Sequence, residues 1–161
     1  MSASRDGQWK EDPHVGSSGA MLLILEDDPE RVERFQAAIK SIELAMPLVV
    51  WRSARKMIVE IERYLPAARL ISLDLDLEPL AGEAEDPGDG IDVARFLAAR
   101  PPVCPVIIHS SNRQRSDWME GEFELGGWCS KRVAPIGDDW IEAYWLSVVR
   151  DLLMMSLLRS D

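Results

Sequence analysis

Cysteine, histidine and positive charge are all scarce in this chain of 161 residues. There are two cysteines, Cys104 and Cys129, neither with a CxxC neighbour, too few for a disulfide framework. Each lies in or beside an apolar, strand-like run, so both are expected to be small buried core residues, and a reducing cytoplasm fits them. Lys and Arg number 18 against 28 Asp and Glu, giving a formal net charge of -10 and a pI near 4.7. That balance argues against a nucleic-acid duplex or an anionic membrane as partner, since both demand clustered cations. No run approaches the roughly 18 apolar residues that a bilayer-spanning helix needs. Residues 1–20 carry Asp6, Glu11, Asp12 and Gly16-Ser17-Ser18-Gly19 and lack the apolar stretch of a secretory signal. They are read as a flexible tail ahead of one domain over residues 21–161.

Apolar content is ample: 47% of residues, with 29% charged, is enough for a proper core. From Met21 onward, short apolar runs alternate with helical patterns. Met21-Leu22-Leu23-Ile24-Leu25 is uninterrupted, as expected of a strand covered on both faces. Asp28 is a suitable N-cap and Pro29 a suitable first residue for a helix with Val32, Phe35, Ala38, Ile39 and Ile42 on its inner side. A second strand is expected at 48–51. Ser53 then caps a helix with Met57, Ile58, Ile61 and Leu65 inside, ended by Pro66. Further strands are expected at 70–74, 105–109 and 128–133. Helices are expected over 91–99, before Pro101-Pro102, over about 113–125, and from about Asp138-Asp139 to Leu158. Five strands alternating with five helices imply a flavodoxin-like (βα)5 three-layer sandwich, with a parallel sheet in the order 2-1-3-4-5.

In such sheets ligands bind beyond the carboxyl ends of the strands. Glu26 and Asp27 follow the first strand, and Asp74 ends the third with Asp76 two residues on. His109-Ser110-Ser111-Asn112 ends the fourth, and Lys131-Arg132 lie on the fifth. Two like charges about 4 Å apart repel by ~4 kcal/mol at an effective dielectric of ~20. A cluster of this kind needs a divalent cation, a neighbouring Lys or Arg, or a shared proton. Hard oxygen ligands suit Mg²⁺ best and Mn²⁺ next, so Glu26, Asp27, Asp74 and Asp76 are the candidate metal ligands.

Glu26-Asp27, Asp74, Ser110 and Lys131 fall where response-regulator receiver domains keep an acidic pair, a phosphoacceptor Asp, a hydroxyl residue and a Lys, with Trp128 at an aromatic switch position. A narrower resemblance is stronger. Leu70-Ile71-Ser72-Leu73-Asp74-Leu75-Asp76-Leu77, Asp89-Gly90-Ile91-Asp92-Val93-Ala94 and Ile108-His109-Ser110-Ser111-Asn112 resemble the motifs of the cyclic-phosphate processing receiver family. The resemblance implies hydrolysis or sensing of cyclic phosphate-containing nucleotides. By that resemblance Asp27, Asp74 and Asp76 would hold metal, and His109, Ser110 and Asn112 would contact phosphate or assist proton transfer. Arg132 would neutralise the phosphate charge, with Ser111 and Lys131 beside it. Leu75 stands where the family usually has His, and Arg113-Gln114-Arg115 replaces the usual Pro and Gly.

On the enzyme reading, a metal between the carboxylates would polarise a phosphoryl oxygen and lower the pKa of a bound water, and His109 would act as general acid toward the leaving alkoxide. The alternative for His109 is a hydrogen-bonded core residue pointing into the helix layer. Two other functions compete with the metal-dependent cyclic phosphodiesterase or binder. One is a phosphoacceptor switch forming an aspartyl phosphate on Asp74, and the other is an interaction module without catalysis. Ile141, Tyr144, Trp145, Val148, Val149, Leu152 and Leu153, widened by Met154, Met155, Leu157 and Leu158, also make the last helix a candidate homodimer surface.

Overall fold

The computed structural model describes residues 19–42, 46–79, 82 and 85–158, the side chains of 157 and 158 excepted. The expected tail lies almost wholly outside the described residues, as do residues 159–161. The strands are β1 (Met21–Leu25), β2 (Leu48–Trp51), β3 (Ala68–Leu73), β4 (Val106–Ile108) and β5 (Ser130–Arg132), and the helices α1 (Pro29–Ser41), α2 (Ala54–Glu60), α3 (Gly90–Ala98), α4 (Arg113–Leu125) and α5 (Leu146–Leu158). All neighbours pair parallel in the order β2-β1-β3-β4-β5, the flavodoxin-like topology that the alternation implied. Among the described residues no helix is long and apolar enough to cross a membrane.

Side chains of β1 and β3 alternate between two separate cores, because successive strand residues point to opposite faces. Leu23, Leu25, Ile71 and Leu73 pack with Met57 of α2, Leu97 of α3, and Met119 and Phe123 of α4. Leu22, Ile24 and Leu70 pack with Phe35 and Ile39 of α1, and with Trp145 and Val149 at the last helix. Burial on both faces is why β1 contains no polar residue.

Local chemistry sets the helix starts. Asp28 Oδ1 accepts the Glu30 amide at 2.9 Å, and Pro29 fills the position where a missing N–H costs nothing. Asp89 and Asp92 form a capping box at α3, and Asn112 caps α4. Several boundaries differ from the sequence expectation. The α2 helix stops at Glu60 and continues as two 3₁₀ turns, Ile61–Arg63 and Leu65–Ala67. Pro66 has no amide hydrogen to sustain an α-helical ladder there. The last helix opens with a π-helical turn, Ile141–Trp145, which turns Trp145 fully inward. Arg34 of α1 ties that turn down, donating to Glu142 Oε2 at 2.9 Å and to the Asp138 carbonyl at 2.7 Å. Tyr144, Met154 and Met155 remain exposed.

Both cysteines depart from the expected burial. Cys104 is half-buried, with its thiol pushed up to about 12 by desolvation. Cys129 is exposed, because it enters the edge strand β5, whose outer side has no neighbour.

The loop after β3 is held against α3 by Gly90, whose amide donates to the Leu75 carbonyl at 2.9 Å. A Cβ on Gly90 would collide with the Asp74 carbonyl, whereas one on Gly121 inside α4 would meet open space. Gly90→Ala is therefore expected to lose about 1–3 kcal/mol through overpacking. Gly121→Ala is expected to be neutral or to gain up to about 1 kcal/mol from helix propensity. Urea denaturation of the two variants checks the contrast.

Candidate functional site

Three parallel strands end side by side, and the residues that follow them converge. Glu26 follows β1, Asp74 follows β3 and His109 follows β4; one ligand atom from each lies within 4.8 Å of the others. Glu26 and His109 are fully buried, and Asp74 is 6% exposed. Strand pairing fixes this convergence: the Asp74 amide donates to the Leu25 carbonyl at 3.0 Å and the His109 amide to the Leu73 carbonyl at 2.9 Å.

The carboxylates are only partly satisfied. Arg31 Nη1 sits 3.3 Å from Glu26 Oε1, and the Leu75 amide donates to Asp74 Oδ1 at 2.7 Å. Glu26 Oε2 and His109 Nε2 are buried, without hydrogen-bond partners, and 3.8 Å apart. On its other side the imidazole meets Ser72 Oγ at 2.7 Å through Nδ1, and its ring lies against Phe35 and Trp140.

Burial dominates the titration of all three groups. Desolvation, reinforced by the hydrogen bond and charge of Glu26, pushes the Asp74 carboxyl up to about 8. Desolvation raises Glu26 as well, opposed by its hydrogen bond to Asp74 and by Arg31. Desolvation lowers His109 to about 4, against the pull of the Asp74 charge. Without a cation, the carboxylate pair therefore holds a proton at neutral pH, and the imidazole stays neutral beside it.

The other residues singled out in the sequence are distributed differently. Asp27 is half-buried outside this group, with Oδ2 accepting the Glu78 amide at 2.7 Å. Asp76 is exposed and paired with Arg115 at 2.9 Å, and the same guanidinium holds Asp89 at 2.5 Å. Ser110 is buried beside the cluster, and its Oγ accepts the Asn112 amide at 3.1 Å. Ser111 is exposed. Asn112 spends its side-chain oxygen on the Arg115 amide, capping α4. Arg132 donates to the Ser110 carbonyl at 3.0 Å.

Three expectations are corrected by this geometry. Lys131 pairs with Ile107 in mid-strand and is exposed, so it does not stand at the strand end. Continuing the register from Ile108↔Arg132 brings Ala134 level with Ser110, a place without charge. Trp128 lies at the opposite end of the sheet, where its Nε1 donates to the Arg100 carbonyl at 3.0 Å. His109 is walled in by the α1 side of the sheet, so it cannot reach an external leaving group as a general acid. Leu75 is fully buried in the core and offers no replacement. Ser72, Arg31 and Arg115 contact the candidate site residues, and Trp145 contacts Ser72, without having been candidate site residues in the sequence. Ser72 alone had a visible signal, as a lone hydroxyl in an apolar central strand.

A family model described as the cyclic-phosphate processing Receiver domain matches residues 21–124. Among curated proteins none matches. The fold resembles the signal receiver domain of a putative Luxo repressor protein from Vibrio parahaemolyticus, with TM-score 0.62 and 20% identity over 88% of this chain and 95% of that one. It also resembles a response regulator receiver domain from Rhodospirillum rubrum, with TM-score 0.58 and 18% identity over 86% and 94% of the two chains. A third similar structure is the Mn²⁺-bound form of response regulator Rcp1, with TM-score 0.56 and 21% identity over 79% and 94%.

The titrations predict a pH signature for the cation-free protein. The raised Asp74 pKa makes stability fall as pH rises from the unfolded value of 3.8 through about 8. The lowered His109 pKa makes stability rise from about 4 to 6.5, so the two effects oppose there. Above pH 6.5 only the Asp74 effect remains of these two. Urea denaturation should show wild type losing stability between pH 6.5 and 8, and Asp74→Asn losing less over that window because only the raised Glu26 remains.

Proposed function

The chain belongs to the cyclic-phosphate processing Receiver domain family, and on that premise we propose that its acidic site binds a divalent cation, Mg²⁺ or Mn²⁺, and through it a cyclic phosphate-containing nucleotide. The observation that carries the reading is the convergence of Glu26 and Asp74, two buried carboxylates of which one keeps an unpartnered oxygen. An anionic ligand cannot approach such a pair unaided. Glu26 and Asp74 would hold a hard cation in place of the shared proton, and its charge would then be available to a phosphate. Arg132 beside Ser110 supplies further positive charge, whereas Arg115 is already neutralised by Asp76 and Asp89.

Binding is favoured over hydrolysis. Turnover needs a proton donor for the leaving alkoxide, yet His109 is buried and Leu75 is apolar. The phosphoacceptor reading loses support for a different reason: Lys131 is exposed in mid-strand opposite Ile107 and does not stand at the strand end beside Ser110. The chain then works as a receiver-fold sensor, with Asp74 a ligand instead of a nucleophile.

Thermal melts at pH 7.5 test the cation step. Mg²⁺ or Mn²⁺ at about a hundred times Kd should stabilise wild type by ~2.7 kcal/mol and leave Asp74→Asn unmoved. With the cation present, 2′,3′-cyclic and cyclic oligonucleotide phosphates should bind wild type only, without product formation. Stable transfer of a phosphoryl group from acetyl phosphate to Asp74 would sink the proposal in favour of a switch.

A further inference from the structure

We infer that Ser72 and Trp145 fix His109 as a hydrogen-bond donor aimed at Glu26, so that the histidine is a positioning residue of the acidic site and not a ligand in it. This rests on the cation-binding reading above and deepens it, because it decides which atoms face the cation.

The argument is one of proton placement. Indole Nε1 can only donate, and Trp145 Nε1 lies 3.0 Å from Ser72 Oγ. Ser72 Oγ therefore accepts that hydrogen, and its own hydroxyl hydrogen must go elsewhere. Ser72 is fully buried, and its one other side-chain partner among the described residues is His109 Nδ1, at 2.7 Å. That nitrogen must accept. A neutral imidazole whose Nδ1 accepts carries its proton on Nε2. The opposite tautomer would give Ser72 a second incoming donor and leave its hydroxyl hydrogen stranded in the core, a cost the present arrangement avoids.

The proton on Nε2 points into the site. Glu26 Oε2 is 3.8 Å away, and both atoms are buried with no other partner. At that distance the hydrogen bond is not yet closed. A small movement of the Glu26 carboxylate, held at its other oxygen by Arg31 at 3.3 Å, closes it. Phe35 and Trp140 confine the ring, so the carboxylate adjusts to the histidine and not the reverse. Because the Nε2 lone pair is occupied by hydrogen, the face toward the cation offers oxygen only. Such a donor set suits Mg²⁺ and Mn²⁺, whereas an imidazole ligand would shift preference toward the later transition metals.

The first measurement needs no cation. In a His14→Gln background, which leaves His109 as the sole histidine of the two in the chain, long-range ¹H–¹⁵N spectra at neutral pH should show the Nε2–H tautomer. Ser72→Ala should lose that preference. An Nδ1–H tautomer in the Ser72-containing protein would overturn the assignment, whatever the variants do. The second measurement compares affinities. His109→Leu should weaken Mg²⁺ and Mn²⁺ alike by roughly tenfold, as loss of a group that orients a ligand typically does. His109→Gln, which restores an N–H donor, should recover most of both. Ring-nitrogen coupling in the spin-echo spectrum of bound Mn²⁺, or a loss in His109→Gln selective for Mn²⁺, would make His109 a ligand and overturn the inference. If wild type binds neither cation, the cation-binding reading fails by itself, and the tautomer alone decides whether His109 is built as a donor to Glu26.

Discussion

Two carboxylates brought together where almost no water reaches them are the constraint on which this structure turns. Glu26 and Asp74 end the two central strands of a parallel sheet, and parallel pairing in register leaves them no freedom to separate. Helices on both faces exclude the solvent that would otherwise screen them. Two remedies are visible around them, Arg31 against Glu26 and the Leu75 amide against Asp74, and burial pushes the Asp74 carboxyl up to about 8. Of the buried atoms left unpaired, Glu26 Oε2 and His109 Nε2 face each other here at 3.8 Å, the gap that the inferred hydrogen bond would close.

The two helix layers serve the site differently. On one face α3 and α4 bring polar and charged groups to the rim: Asp89, Asn112 and Arg115. There the loop after β3 is clamped by Gly90 and Arg115. On the other face α1 and the last helix bring aromatic rings. Phe35 and Trp140 flank His109, Trp145 packs on Phe35, and the Arg34–Glu142 pair binds those elements to each other. The outer side of the cluster is thus polar and held by paired charges, while its inner side is aromatic and apolar.

Much of this was readable in the residues. The uninterrupted apolar run of β1, the mainly apolar run of β3, the Asp28-Pro29 and Ser53 helix starts, and Pro101-Pro102 after α3 each report a local preference that packing did not override. So did the arrival of Glu26, Asp74 and His109 at one end of the sheet, which follows from strand order alone. Strand ends were harder, because β4 and β5 keep only three residues each in regular pairing. That shortness misplaced Lys131: a charged residue within a few positions of a strand end looks the same in sequence whether it precedes or follows that end. Asp27 and Asp76 look equally plausible as ligands in the sequence, yet partners far along the chain, the Glu78 amide and Arg115, hold an oxygen of each outside the buried cluster.

By itself the sequence determined the alternation of strands and helices, the caps, and the delivery of acidic residues beyond the sheet, because these depend on periodicity and nearest-neighbour chemistry. Only tertiary structure decided which carboxylates meet, that His109 faces inward, and that Ser72 and Trp145 stand behind it. Trp145 lies 73 residues from Ser72 along the chain. No local pattern links them, and their hydrogen bond exists because a π-helical turn in the last helix points the indole at the middle strand of the sheet. Contacts of that kind depend on the packing of whole layers, and a one-dimensional pattern carries no record of them.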